Sequence, residues 1–263
     1  MGHSHLFTNT KAPSTDVLIS LTTDVVHESA TAMLIAIGYP DDGTADYREG
    51  GDPAFTSGEG HIYLASRTSQ ALPKESIVEL WWVYELPTGA ALELNIPNSS
   101  GRDVAVIVDV FSADLGMSMY LHVGGVAWSG EDPRVLVPDG EVGVLRYICI
   151  AGDSDPSVHP YTVFDGVETG AIDCGTYFLG AQYNIINEDD NWLAKWIQPE
   201  ADGASMIHIT MRDLSSGVNG ELVKTVDDST LDAAGKPAPT FDGQDVLEVM
   251  VTSTRQITKT VTT

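Results

Sequence analysis

The chain has 263 residues and a formal net charge of −25, from 13 Lys and Arg against 38 Asp and Glu. So few cations exclude direct nucleic-acid binding as the main activity, because counterion release needs basic side chains, and they argue against an anionic membrane surface for the same reason. Cationic partners, divalent ions or high salt fit better, and with Asp outnumbering Glu by 24 to 14 a halophilic setting is expected.

Residues 1–15, MGHSHLFTNTKAPST, carry no acid and no apolar core of the kind a secretory signal needs. They are expected to form an N-terminal arm on which His3 and His5 are incidental. Gly2 resembles a myristoylation start, but Leu6 stands where Ser or Thr is required.

From Asp16 onward period two dominates. DVLISLT (16–22), TAMLIAIGY (31–39), HIYLAS (61–66), SIVELWWVYEL (76–86) and ALELNI (91–96) read as strands, each followed by Gly, Pro, Asn or Asp. ALELNI sets Leu92, Leu94 and Ile96 against Glu93 and Asn95, as a half-buried strand does. The connection over 38–60 is longer than a meander needs and suits a Greek-key crossover or a functional loop. In SIVELWWVYEL, Trp81, Val83 and Glu85 share one face and Trp82, Tyr84 and Leu86 the other. Trp81 or Trp82 could stack on a sugar ring, although a central strand covered on both faces accounts for the pair more simply. Asn98-Ser99-Ser100 is a glycosylation sequon in a turn-like stretch.

Further strands are expected at DVAVIVDVF (103–111), MSMYLHV (117–123), VGVLRYICI (142–150), GTYFLGAQY (175–183), NWLAKWIQ (191–198), SMIHITMR (205–212), ELVKTV (221–226) and VLEVMVT (246–252). VLVPDGEVGVLRY (135–147), with Asp139-Gly140 at its centre, reads as a hairpin. SMIHITMR places Ile207, Ile209 and Met211 on one face, with Met206, His208, Thr210 and Arg212 on the other. Cys149 and Cys174 lack CxxC spacing. A bridge between them would close a loop of about 25 residues, worth on the order of 3 kcal/mol, but free thiols are expected without an export signal.

Three acidic clusters, PDDGTAD (40–46), GDSDPS (152–157) and NEDDN (187–191), offer oxygens to calcium, yet none completes an EF-hand loop. Solvated turns explain most such clusters on an Asp-rich chain. The strongest metal candidates are Glu188, Asp189 and Asp190, because Trp192 and Trp196 follow on a strand that would steady the loop. No G-x-S-x-G occurs, and no cysteine has a local histidine partner. A second long connection covers 227–245, and the chain ends in TSTRQITKTVTT (252–263), an acid-free strand with Arg255 and Lys259, expected to dock on an acidic surface of its own chain or of a copy.

The fold expected is all-β, a jelly-roll-type β-sandwich or barrel with long decorated loops and extended terminal arms, with one domain over 16–251 between arms at 1–15 and 252–263. The function expected is a non-enzymatic, self-assembling structural protein, a viral capsid or virion shell component assembled in the host cytoplasm. Its partners would be copies of itself or related shell subunits, with no cofactor, no direct nucleic-acid contact and no membrane insertion. The alternative is a carbohydrate-binding or cell-surface β-sandwich holding structural calcium.

Overall fold

The structure, a computed structural model, describes residues 2–40, 51–69, 76–114, 118–129, 134–137, 143–153, 162–164, 166–185, 192–197 and 203–213. All of them fall within one compact unit, Met1–Ser216. They form β-structure and its connections, and no helix among them is long and apolar enough to cross a membrane.

Eight strands build the first half: β1 (His3–Ser14), β2 (Leu18–Val25), β3 (Ala30–Pro40), β4 (Ala54–Phe55), β5 (His61–Ser69), β6 (Ser76–Tyr84), β7 (Ala91–Pro97) and β8 (Val104–Ala113). Eight more build the second: β9 (Ser118–Ser129), β10 (Arg134–Val137), β11 (Leu145–Asp153), β12 (Thr162–Phe164), β13 (Val167–Asp173), β14 (Tyr177–Ile185), β15 (Trp192–Ile197) and β16 (Gly203–Asp213). Every ladder is antiparallel.

The first half makes an inner sheet, β1-β8-β3-β6-β5, and an outer one, β2-β7-β4. The second makes an inner sheet, β9-β16-β11-β14-β13, and an outer one, β10-β15-β12. Adding eight to each strand number of the first half reproduces the second, so the same topology occurs twice in the chain. The four sheets stack as outer, inner, inner, outer, with three hydrophobic cores between them.

This layering explains the burial patterns. The central strands of the inner sheets are covered on both faces and read as apolar runs; β8, VAVIVDVFSA, is buried at every position but Ser112. The outer strand β7 keeps the expected alternation, with Leu92, Leu94 and Ile96 buried. β16 corrects the half-buried reading of SMIHITMR: Ile207, Ile209 and Met211 enter the central core, while Met206 enters the core under the second outer sheet.

Two further expectations are corrected. Residues 1–15 are not a separate arm, since β1 is an edge strand of the first inner sheet and pairs with β8 from His3↔Ala113 to Ser14↔Val104. Leu6 and Phe7 pack on the first core, and the Gly2 amide donates to Asp114 Oδ2 at 2.8 Å. Its sparse apolar residues concealed it, because much of its side-chain polarity is met by partners across the fold. The 135–147 hairpin is also absent: β10 pairs with β15 in an outer sheet, whereas β11 pairs with β14 and β16 in an inner one. The strands on either side of Asp139-Gly140 thus lie in different sheets, and the pair itself lies outside the described residues. The C-terminal segment 252–263 and the connection 227–245 lie outside the described residues.

Candidate functional site

Of the residues singled out in the sequence, Glu188, Asp189 and Asp190 lie outside the described residues. Among the described residues no group of three or more His, Cys, Asp or Glu is arranged to hold a metal ion. Trp81 is buried at 2% exposure in the first core and donates its indole N–H to Glu79 Oε2 at 2.8 Å, so it is unavailable for stacking on a sugar. Trp82, on the opposite face, packs against the central core.

The sequon asparagine is consumed structurally. Asn98 is buried, its amide nitrogen donates to the carbonyls of Asp16 at 3.1 Å and Arg102 at 2.8 Å, and its oxygen accepts from the Arg102 amide at 3.2 Å. Attaching a glycan there would break the turn.

Both cysteines are free. Cys149 sits opposite Ala181 on β14, whereas the Cys174 amide bonds the Tyr177 carbonyl on the other side of that strand. Four residues of strand separate the two levels, about 13 Å at ~3.3 Å per residue, well beyond the roughly 7 Å limit between bridged Cα atoms. Burial raises the Cys149 thiol far above its ordinary range and pushes Cys174 up to about 12. Neither is a thiolate nucleophile at neutral pH.

The chemistry-bearing residues that the structure does bring together are two acids buried in apolar strands. Glu79 of β6 accepts from Tyr39 at 2.6 Å and from Arg67 Nε at 3.0 Å on Oε1, and from Trp81 on Oε2. Arg67 Nη2 stands 2.9 Å from the same Oε1, and Arg67 and Glu79 are cross-strand partners on β5 and β6. Asp109 of β8 is fully buried between the inner sheets. Its Oδ2 accepts from Tyr147 at 2.8 Å and Thr169 at 2.7 Å, both in the second half, while Oδ1 takes the Thr8 hydroxyl and lies 3.1 Å from His5 Nε2. The His5 ring stacks on Tyr183, with centroids 5.2 Å apart. Burial, followed by the Asp109 charge, raises the Tyr147 phenol well above its ordinary value, so it is a neutral donor.

Asp, His and a hydroxyl invite comparison with a catalytic triad, and the geometry answers it. In a triad the acid and the nucleophile meet opposite nitrogens of the imidazole. Here His5 Nε2 faces both Asp109 and Thr8, and Thr8 gives its proton to the carboxylate, so the ring cannot activate the hydroxyl. A second pair, Ser118 Oγ at 2.9 Å from His3 Nε2 with His3 Nδ1 at 3.1 Å from the Gly143 carbonyl, has the spacing of a nucleophile and its base. With His3 at 4% and Ser118 at 5% exposure, no acyl group can reach it. It fastens β1 to the start of β9, and Thr31 Oγ1 completes it at 2.9 Å from Ser118 Oγ.

On the surface, a shallow cleft of about 170 Å³ is lined by Phe55, Gly58, Glu59, His61 and Tyr63 among others. Tyr63 is 50% exposed there, and Glu85, at a φ of 53°, stands 3.9 Å from His61.

The buried acids were missed in the sequence, although a signal was present: DVAVIVDVF and SIVELWWVY each place one carboxylate inside an apolar strand, where it must find partners or be expelled. No family model, no curated protein and no solved structure matches this chain.

Proposed function

We propose that the chain is a self-assembling structural protein, a shell subunit of virion type suited to high salt, in which each half is a jelly roll. The observation that carries the reading is the duplicated strand order. A jelly roll of eight strands pairs them as 1-8-3-6 in one sheet and 2-7-4-5 in the other; each half follows that order with its fifth strand moved beside the sixth. Jelly rolls serve viral capsids, and also lectins, so topology alone does not decide. What favours a structural role is the use made of the buried polar groups. Asp109, Glu79, His3 and Asn98 are all engaged in tying strands, sheets or turns to one another.

The test is the mass in solution by light scattering, at low and at multimolar salt, for the full chain and for a chain ending at Met250. Salt-dependent oligomers that disappear on truncation support a shell subunit joined through its C-terminal segment. A monomer under every condition overturns it.

The second reading, a glycan-binding sandwich, keeps one supporting observation, half-exposed Tyr63 at the cleft beside His61. It requires chemical-shift changes at Tyr63 on titration with monosaccharides, abolished by Tyr63→Ala.

A further inference from the structure

The two inner sheets meet as two copies of one surface would. β3 packs on β14 and β11 on β6; β5 packs on β9 and β13 on β1. Each pair maps onto the other when the halves are exchanged, which is the signature of a two-fold interface.

The ladders refine this to residues. Aligning Ala36 with Cys149 places Leu80 opposite the first and Ala181 opposite the second, and sets Ile107 and Ile207 at equivalent positions. Two irregularities confirm the frame. The β5–β6 ladder skips a residue between Leu64 and Ser66, and the β13–β14 ladder between Glu168 and Gly170. The β1–β8 ladder slips where it passes Phe111 and Val110, and the β9–β16 ladder at the equivalent Met211 and Thr210. Hydrogen bonds repeat too: Tyr177 donates to the Gly38 carbonyl at 2.9 Å, and the equivalent Ser76 donates to the carbonyl of the equivalent Ala151 at 2.9 Å.

In this frame Asp109 corresponds to Ile209, Tyr147 to Leu34, Thr169 to Ala65 and Thr8 to Val123. One end of the interface therefore holds a carboxylate and its hydroxyl donors. At the other end Ile209 and Leu34 lie in the central core, with Ala65 and Val123 packed against it. The shape of the interface is two-fold, whereas its chemistry is not.

We propose that the Asp109 cluster selects the partner of the first inner sheet: that surface accepts only the inner sheet of a second half, never another first half. Two first halves would each bury Asp109 against Leu34 and Ala65 of the other, stripped of the Tyr147 and Thr169 donors. Two second halves would seat each Tyr147 hydroxyl against Ile209. Either mismatch leaves a buried polar atom, Asp109 Oδ2 or the Tyr147 hydroxyl, without the partner it has in the mixed pair, which costs more than the apolar contact returns. In a crowded assembly this keeps copies from joining through like halves. The inference stands whether or not the chain builds a shell.

The test uses the full chain with a protease site inserted between Asp114 and Ser118, cut after folding so that only the interface holds the halves together. The cut protein is unfolded, refolded and weighed by native mass spectrometry. Mixed pairs are expected, with like pairs at least about tenfold below a random mixture. In the variant Asp109→Ile/Tyr147→Leu/Thr169→Ala/Thr8→Val, which copies the apolar end, like pairs should rise toward random proportions. If that variant does not fold, Ile209→Asp/Leu34→Tyr/Ala65→Thr/Val123→Thr, which copies the polar end, should do the same. Like pairs from the unmutated protein, failure of its mixed pair to re-form, or strictly mixed pairs from a folded variant would each overturn the proposal.

Discussion

A carboxylate in an apolar strand is the most informative residue in this protein, because its burial is tolerated only through its partners. Glu79 accepts from Tyr39, Arg67 and Trp81, and Arg67 is the cation among them. Arg67→Met takes away the guanidinium that faces this buried charge, and is expected to cost about 3 kcal/mol. Arg67→Met/Glu79→Leu should recover part of that loss, since an apolar pair needs no partner, but not all, because Tyr39 and Trp81 lose their acceptor. Urea midpoints of the two variants check both statements. A second consequence appears in alkali. Burial raises Cys149, Cys174, Tyr147 and Tyr177 above their ordinary values near 9 and 10. The folded state therefore holds these protons after the unfolded chain has released its own. Their contribution is complete below about pH 9 and is lost progressively as pH rises toward the folded values. Unfolding free energies measured between pH 8 and pH 11 should fall along this range, and Cys149→Ala should make the decline shallower whatever its offset.

At the scale of elements, what was legible is what a single face decides. β7 alternates because one side of the outer sheet is exposed, and its pattern was readable from ALELNI alone. β1 was not, since Thr8, His5 and His3 find their partners on β8, on β9 and before β11, at sequence distances no local pattern reports. The 135–147 segment failed for a related reason: an Asp-Gly turn specifies a reversal of the chain but not the sheet in which the next strand lies. Glycine placement is similarly non-local. Gly124 of β9 faces His208 of β16 across the ladder, and a Cβ at Gly124 would lie 2.5 Å from the His208 Cε1 atom. The half-buried strand reading gave no reason for a glycine there, whereas the packed imidazole does. Gly124→Ala is expected to destabilise by about 1–3 kcal/mol through overpacking, and Gly124→Ala/His208→Ala to regain much of it. Thermal denaturation of the pair decides whether the ring is the cause.

For the whole molecule, the all-β class and the layered sandwich followed from period two and turn chemistry, but the duplication did not, because it survives in ladder irregularities and strand order rather than in residue identity. Charge is the other property that belongs to the molecule as a whole. A folded chain of this mass exposes about 11,000 Å², so 25 net negative charges stand roughly 20 Å apart. At that spacing each neighbouring pair repels by about 0.2 kcal/mol in water, and a Debye length of ~10 Å at 0.1 M already removes most of it. What remains, over all neighbours, is on the order of 2 kcal/mol, and at 1 M it vanishes. General screening alone can therefore raise the melting temperature by only about 4–8 °C between those salt concentrations. That modest rise is the expected outcome for KCl, measured by calorimetry on the full chain. A flat or falling curve would remove the high-salt setting. A rise well beyond this bound could not come from screening, and would mean that folded acidic loops take up cations stoichiometrically, which a comparison of KCl with tetramethylammonium chloride at equal ionic strength would separate.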